Sequence, residues 1–137
     1  MTVVVDASAV VSALVDSGAE GRWAEQILLD HDIVAPGLLL VECTNVLRRL
    51  TASGEIVDLE ASIAHKDLMA LPVTLFPFEP FAERVWTLCH NLRSYDAWYV
   101  ALAETLNIPL VTLDSKLANA SGPECRFNSF SGNPGVA

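Results

Sequence analysis

Basic side chains are scarce in this chain. Lys and Arg number 8 against 17 Asp and Glu over 137 residues, a formal net charge of −9. A protein that grips nucleic acid through phosphate contacts alone carries a basic stripe. That route is closed here unless some of the acids hold cations that reverse the local field. Cysteine is sparse too. Cys43, Cys89 and Cys125 are odd in number and widely separated, with no CxxC pair and no histidine at zinc-ligand spacing. Such thiols read as small interior hydrophobes rather than metal ligands. His31, His65 and His90 are scattered, and nothing around them sets up a catalytic base. No apolar run reaches the length of a membrane span, and the first residues lack the charged and apolar regions of a signal peptide. The expectation is a cytoplasmic protein with no membrane partner.

What the sequence does have is apolar content, 52% of its residues, enough to bury one core. A single domain over 1–127 is expected, with 128–137 a small, polar, flexible tail. Val3-Val4-Val5 is a β-branched run with no polar face, as in a central parallel strand, and it ends on Asp6. Helical patterns follow at 7–14 and 19–29. A brief strand at Ile33-Val34-Ala35 closes on Pro36-Gly37. Over Leu38 to Leu50 the residues Leu39, Cys43, Val46, Leu47 and Leu50 recur at three- and four-residue steps, a buried helical stripe. A helix at 59–71, a strand at 73–76 and a helix from Pro80 to about Leu92 come next. In that last helix Phe81, Val85, Trp86 and Cys89 are expected inward. Ser94 is placed as the cap of a helix over 95–106, which Asn107 and Pro109 end. Leu110 to Leu113 forms a fourth strand before Asp114, a short helix follows, and 125–127 is a candidate fifth, edge strand. Strands alternating with helices predict an α/β fold, a three-layer α/β/α sandwich around a central parallel sheet of four to five strands.

That topology gathers acids that lie far apart in the chain. Ligands of parallel sheets bind beyond the carboxyl ends of the strands. Asp6 ends the first strand and Asp114 the fourth, while Glu42 and Asp96 sit near the starts of helices whose N-termini face the same rim. Each has a purely structural reading. Asp6 and Asp114 suit helix N-caps, Asp96 suits a helix dipole, and Glu42 suits a solvated face beside Asn45 and Arg49. Together, like charges on one rim repel and call for a cation. A set of carboxylates without thiolate or imidazole selects Mg²⁺ or Mn²⁺, as one or two ions.

The stretches VVVDASAVVSAL (3–14), LLLVECTNVLRRL (38–50) and SYDAWYVALAETLNIPLVTLD (94–114), in that order, resemble the PIN-domain nucleases. Within that family they resemble the VapC-type toxins of bacterial toxin–antitoxin pairs. The resemblance spans nearly the whole chain and implies that Asp6, Glu42, Asp96 and Asp114 are the acidic, metal-binding catalytic site. It further implies that Ser8 and Thr112 lie beside the site and that Asn45 is a supporting polar position one turn beyond Glu42. The activity it implies is Mg²⁺-dependent cleavage of RNA by an endoribonuclease, in a homodimer inhibited by a cognate antitoxin. A negatively charged site invites a basic antitoxin side chain. Of the few cations, Arg48, Arg49, Arg93 and Lys116 lie near the acidic motifs and are the candidate phosphate contacts.

Two other readings compete. A phospho-accepting, receiver-like signalling domain is also a small α/β protein that holds Mg²⁺ at a sheet rim. It needs paired acids after the first strand and an Asp at the end of the third. Asp6 has no acidic neighbour, and the third strand runs into Phe76-Pro77-Phe78. A catalytically idle PIN-like binding module would keep the fold without the chemistry, and the presence of all four acids speaks against it.

Overall fold

Val3, Val4 and Val5 are fully buried, as their unbroken apolar pattern requires, and they lie in the middle of the sheet. The structure is a computed structural model that describes residues 1–131. Its first half runs β1 (Thr2–Val5), α1 (Ala7–Val15), α2 (Ala19–Asp30), β2 (Asp32–Pro36), α3 (Leu39–Ala52), α4 (Asp58–Met69) and β3 (Val73–Phe76). A 3₁₀ turn (Glu79–Phe81) leads into α5 (Ala82–Leu88), α6 (Ser94–Leu106), β4 (Leu110–Thr112), α7 (Ser115–Ala118) and β5 (Phe127–Ser129).

The strands stand in the order β3-β2-β1-β4-β5, and every pairing is parallel. The chain steps outward from β1 to β3, then crosses back to lay β4 on the other side of β1. The switch point between β1 and β4 opens the crevice where ligands of such sheets bind. Right-handed crossovers put α1 to α4 on one face and α5 and α6 on the other. The packing of α1 against α2, α3 and α4, and of α5 against α6, agrees with this. In register, Val4 pairs with Leu110 and Val5 with Val111. The Asp6 amide then bonds the Val111 carbonyl at 3.2 Å, which carries Asp6 to the level of Thr112.

The buried stripe of α3 is Leu39, Cys43 and Leu47, with Val46 and Leu50 half-buried at its margin. Helix α6 is buried over most of its circumference, from Ala97 through Tyr99 to Ala103. It stops where Asn107 takes a left-handed conformation (φ 53°) and the amides of Asn107 and Ile108 bond back to Glu104 and Ala103. Gly21 is where α2 meets the end of α1. A Cβ there would lie 1.8 Å from the Asp16 carbonyl oxygen, so only glycine fits.

Four expectations need correction. The helix predicted from Pro80 to Leu92 is a 3₁₀ turn followed by α5, which ends at Leu88. Phe81 and Val85 are buried, but Trp86 is 80% exposed, because it follows Val85 by one residue and so stands about 100° round the helix from the buried face of Phe81, Val85 and Leu88. Ser94 is the first residue of α6 rather than its cap. Arg93 holds the cap position in extended conformation, and its side chain makes no cap hydrogen bond. The fifth strand lies at 127–129 instead of 125–127, so Asn128 and Ser129, placed in the tail by sequence, pair with Val111 and Thr112. The remainder of that tail, 132–137, lies outside the described residues. Among the described residues, no helix is long and apolar enough to cross a membrane.

Candidate active site

Asp6 follows β1 directly and is only 7% exposed. Its extended backbone makes it the N-cap of α1, with Oδ1 accepting from the Ala9 amide (3.1 Å) and the Ser8 hydroxyl (2.6 Å). Oδ2 accepts from the Thr112 hydroxyl. The Ser8 Oγ in turn accepts from the Leu113 amide, and Thr112 Oγ1 accepts from the Asp114 amide, both at 3.0 Å. Ser8 and Thr112 thereby stitch the ends of β1 and β4 together around one carboxylate. Thr112 touches both Asp6 and the backbone of Asp114. Asp6 caps α1 with one oxygen and meets Thr112 with the other, so its role as a cap leaves it beside β4.

Asp114 caps α7 in the same way, with Oδ1 alone accepting from the Lys116 and Leu117 amides (3.0 and 3.3 Å). Asp96 lies in the first turn of α6, with Oδ2 at 3.7 Å from Arg93 Nε. Glu42, in the first turn of α3, accepts a 2.6 Å hydrogen bond from the buried Tyr99 hydroxyl. Sequence reasoning gave Tyr99 no part in the site. Its place on an apolar helical face gives no sign of a polar partner on another helix.

Three of the four acids are raised, and a neighbouring carboxylate contributes to each. Burial pushes the Asp6 carboxyl up, the hydrogen bonds from Ser8, Thr112 and Ala9 oppose it, and the Asp114 charge adds to the rise. Glu42 is raised by burial against the Tyr99 bond, with Asp96 and Asp6 raising it further. Asp96 is also raised by burial, offset by Arg93 and reinforced by Asp114. Sequence reasoning placed all four at one rim, and the structure brings them into mutual electrostatic range.

Two clefts flank the acids. One, of about 410 Å³, holds Asp96 and Asp114 with Asn91, Arg93 and Lys116. The other, of about 460 Å³, holds Glu42 with Asn45, Arg49, Arg93 and Tyr95. Arg93 lies at their shared edge. Of the candidate phosphate contacts, Arg49, Arg93 and Lys116 therefore meet the acidic rim. Arg48 donates to Asn45 Oδ1 (3.0 Å) and lines a different cleft, between α3 and α4 beside His65 and Lys66.

The donor chemistry suits a hard, oxygen-seeking cation. Cys43, next to Glu42, is buried and its thiol is pushed up to about 12, so it offers no thiolate. Among the described residues, no three His, Cys, Asp or Glu side chains close around an ion by themselves. A rim of spread carboxylates matches a cation that keeps much of its water, as Mg²⁺ does.

Comparison with known proteins gives a family and a fold. The PIN domain family model matches residues 3–123. Ribonuclease VapC1 of Mycobacterium tuberculosis is 43% identical over 125 residues, which are 90% of this chain and 94% of that protein. Among solved structures, PAE2754 from Pyrobaculum aerophilum superposes with a TM-score of 0.70 at 23% identity, over 93% of this chain and 83% of that one. The Mycobacterium tuberculosis sarcin-ricin loop cleaving toxin VapC20 gives a TM-score of 0.64 at 15% identity, over 84% of this chain and 92% of that one.

Proposed function

Given that the chain belongs to the PIN-domain family, and within it to the VapC ribonucleases, we propose that it is a divalent-metal-dependent endoribonuclease acting in the cytoplasm as the toxin of a toxin–antitoxin pair. The observation that carries this reading is the link from Asp6 through Thr112 to Asp114 at the switch point between β1 and β4. Asp96 and Glu42 complete an acidic rim around that link.

Asp6, Asp96 and Asp114 are the residues that would hold Mg²⁺ or Mn²⁺, with Glu42 binding a second ion or orienting the attacking water. The bound ion supplies a water acidified toward neutral pH and a positive charge against the scissile phosphate. Ser8 and Thr112 fix both oxygens of Asp6, so its carboxylate meets a ligand without reorganising. Tyr99 holds one oxygen of Glu42 and leaves the other for a ligand. Arg93 and Lys116, which line the cleft of Asp96 and Asp114, would take the phosphates of the bound strand. The chain's net charge of −9 then does not bar RNA, because the cation and these side chains set the field at the rim.

The test is cleavage of tRNA, rRNA and mRNA by the purified protein with Mg²⁺, with Mn²⁺ and with chelator. Cutting that needs the metal and is lost in Asp114→Asn supports the reading. Equal cutting by that variant, or in chelator, rejects it. On the same footing we propose a homodimer, and an antitoxin that sets a basic side chain among the carboxylates. Light scattering of the free protein, and loss of Mn²⁺ binding once the partner is co-expressed, check the two.

A further inference from the structure

We propose that the cleft between α3 and the start of α6 binds one unpaired nucleobase of the substrate, stacked on the Tyr95 ring, on one side of the cut bond only. The inference rests on the ribonuclease reading above and adds to it the residue that holds a base beside the cut bond.

Tyr95 is the second residue of α6 and the neighbour of Asp96, and its side chain is 57% exposed. Among the described residues the ring–ring pairs are Trp23 with Phe130, Phe76 with Phe81, and Phe78 with Trp98, so Tyr95 is in none of them. Its cleft presents Leu38, Val41 and Val46, with Val41 72% exposed, and it also contains Glu42 of the acidic rim. Arg49 and Arg93 supply its positive charge. An aromatic ring, an apolar wall and two guanidinium groups match what an unpaired base and its phosphates ask of a protein. The larger cleft between α3 and α4 carries Arg48, His65 and Lys66 but contains none of the four acids. A base held there would not be fixed against the reacting bond.

The two clefts beside the acids differ in kind. That of Asp96 and Asp114 is lined by Asn91, Arg93 and Lys116, with no aromatic side chain. It suits sugar and phosphate and is indifferent to the base. A strand crossing the rim at Arg93 would therefore be read by stacking on one flank and held by its backbone on the other. Duplex RNA keeps its base faces stacked inside, so the cut strand must be open at the stacking position.

The experiment uses the full chain and a short RNA with a mapped cut, with abasic nucleotides placed singly on each side of that cut. Wild type, Tyr95→Ala and Tyr95→Phe are compared by KM and kcat. One abasic position should raise the wild-type KM by about 10-fold with kcat little changed, the loss of a single base–aromatic stack. Tyr95→Ala should raise KM by a similar factor on intact RNA, feel no further penalty from that abasic position, and keep its melting temperature. Tyr95→Phe should restore the wild-type KM. An unchanged KM in Tyr95→Ala overturns the proposal, as does an abasic penalty that survives in it. A Tyr95→Ala that loses only its protein inhibitor, and cuts RNA as before, makes the cleft a protein-docking surface and equally overturns it. Where wild type cuts and Asp6→Asn does not, such a failure leaves the ribonuclease reading standing. Absence of cutting by wild type on every RNA removes both.

Discussion

The Tyr99 hydroxyl donates to Glu42 Oε1 across 2.6 Å, joining α6 to α3 between residues 57 positions apart. Tyr99 is 1% exposed, so its ring is locked by the core and its oxygen is a fixed point from which Glu42 is aimed. Removing that oxygen leaves the ring's packing in place. Tyr99→Phe should therefore cost only about 1 kcal/mol of stability, the net value of one hydrogen bond. Glu42 then swings free, and kcat should fall about 10-fold or more with KM for RNA nearly unchanged. A variant with wild-type kcat would show that Glu42 needs no aiming.

Asp6→Asn should abolish cleavage and make the metal-free protein more stable. The amide oxygen of the substituted side chain can keep the bonds from Ser8 and Ala9, so the cap of α1 survives, while its NH₂ donates to the Thr112 hydroxyl oxygen in place of the bond that Asp6 accepts. Burial raises the Asp6 carboxyl above its ordinary value, so the unfolded chain releases that proton first. Stability from this group is greatest below the ordinary carboxylate range, near about pH 4, and falls as pH rises through the folded value. At neutral pH the variant should melt above the wild type, with the gap closing toward acid pH. Mn²⁺ should raise the Tm of wild type and not of the variant. Thermal scans across pH, with and without Mn²⁺, check both statements.

Arg84 and Glu104 tie α5 to α6 by a 2.7 Å and a 3.1 Å bond, and both reach the loop before β5. Arg84 donates to the Gly122 carbonyl, and Glu104 accepts from the Glu124 amide. Burial works to raise Glu104, but the Arg84 and Glu124 bonds outweigh it and hold the carboxyl below its ordinary value. Here the sign reverses. The pair stabilises above the ordinary glutamate range, about pH 4.3, and its contribution is lost as pH falls through the lower folded value. Glu104→Gln should cost about 1 kcal/mol at neutral pH, since the pair is partly exposed, and progressively less as pH falls below the ordinary glutamate range. Urea midpoints across that pH range test this.

Gly21→Ala should destabilise the fold by about 3 kcal/mol, because the new methyl overlaps the Asp16 backbone and α2 must move off α1. Gly54→Ala, where a Cβ meets nothing within 4 Å, gives a control that carries only the strain of its positive φ (80°). The difference between their urea midpoints isolates the packing clash.

Much of this fold can be read along the chain. The valine run of β1, the apolar stripe of α3 and the Asn107–Pro109 end of α6 are local patterns, and each appears where its periodicity put it. The acids were legible for a different reason. In a parallel sheet, chain direction alone brings strand ends and helix starts to one rim. Trp86 misled because an apolar residue in a helix is buried only on the face that meets the core, and Phe81, Val85 and Leu88 form that face while Trp86 stands about 100° round from Val85. The fifth strand slipped by two residues because its register is fixed by β4, across hydrogen bonds that 125–129 does not encode by itself.

The sequence alone determined the α/β class, the order of the elements and which strand ends and helix starts carry acids, because periodicity and chain direction are local properties that any segment carries with it. Only the tertiary structure decided that Tyr99 aims Glu42, that Thr112 bridges Asp6 and Asp114, and that Arg93 stands where two clefts meet. Those contacts join residues far apart in the chain, 57 and 106 positions for the Tyr99 and Thr112 bonds, or depend on which face of a helix meets its neighbour. Packing of the whole core settles that choice, and no single stretch of the chain does.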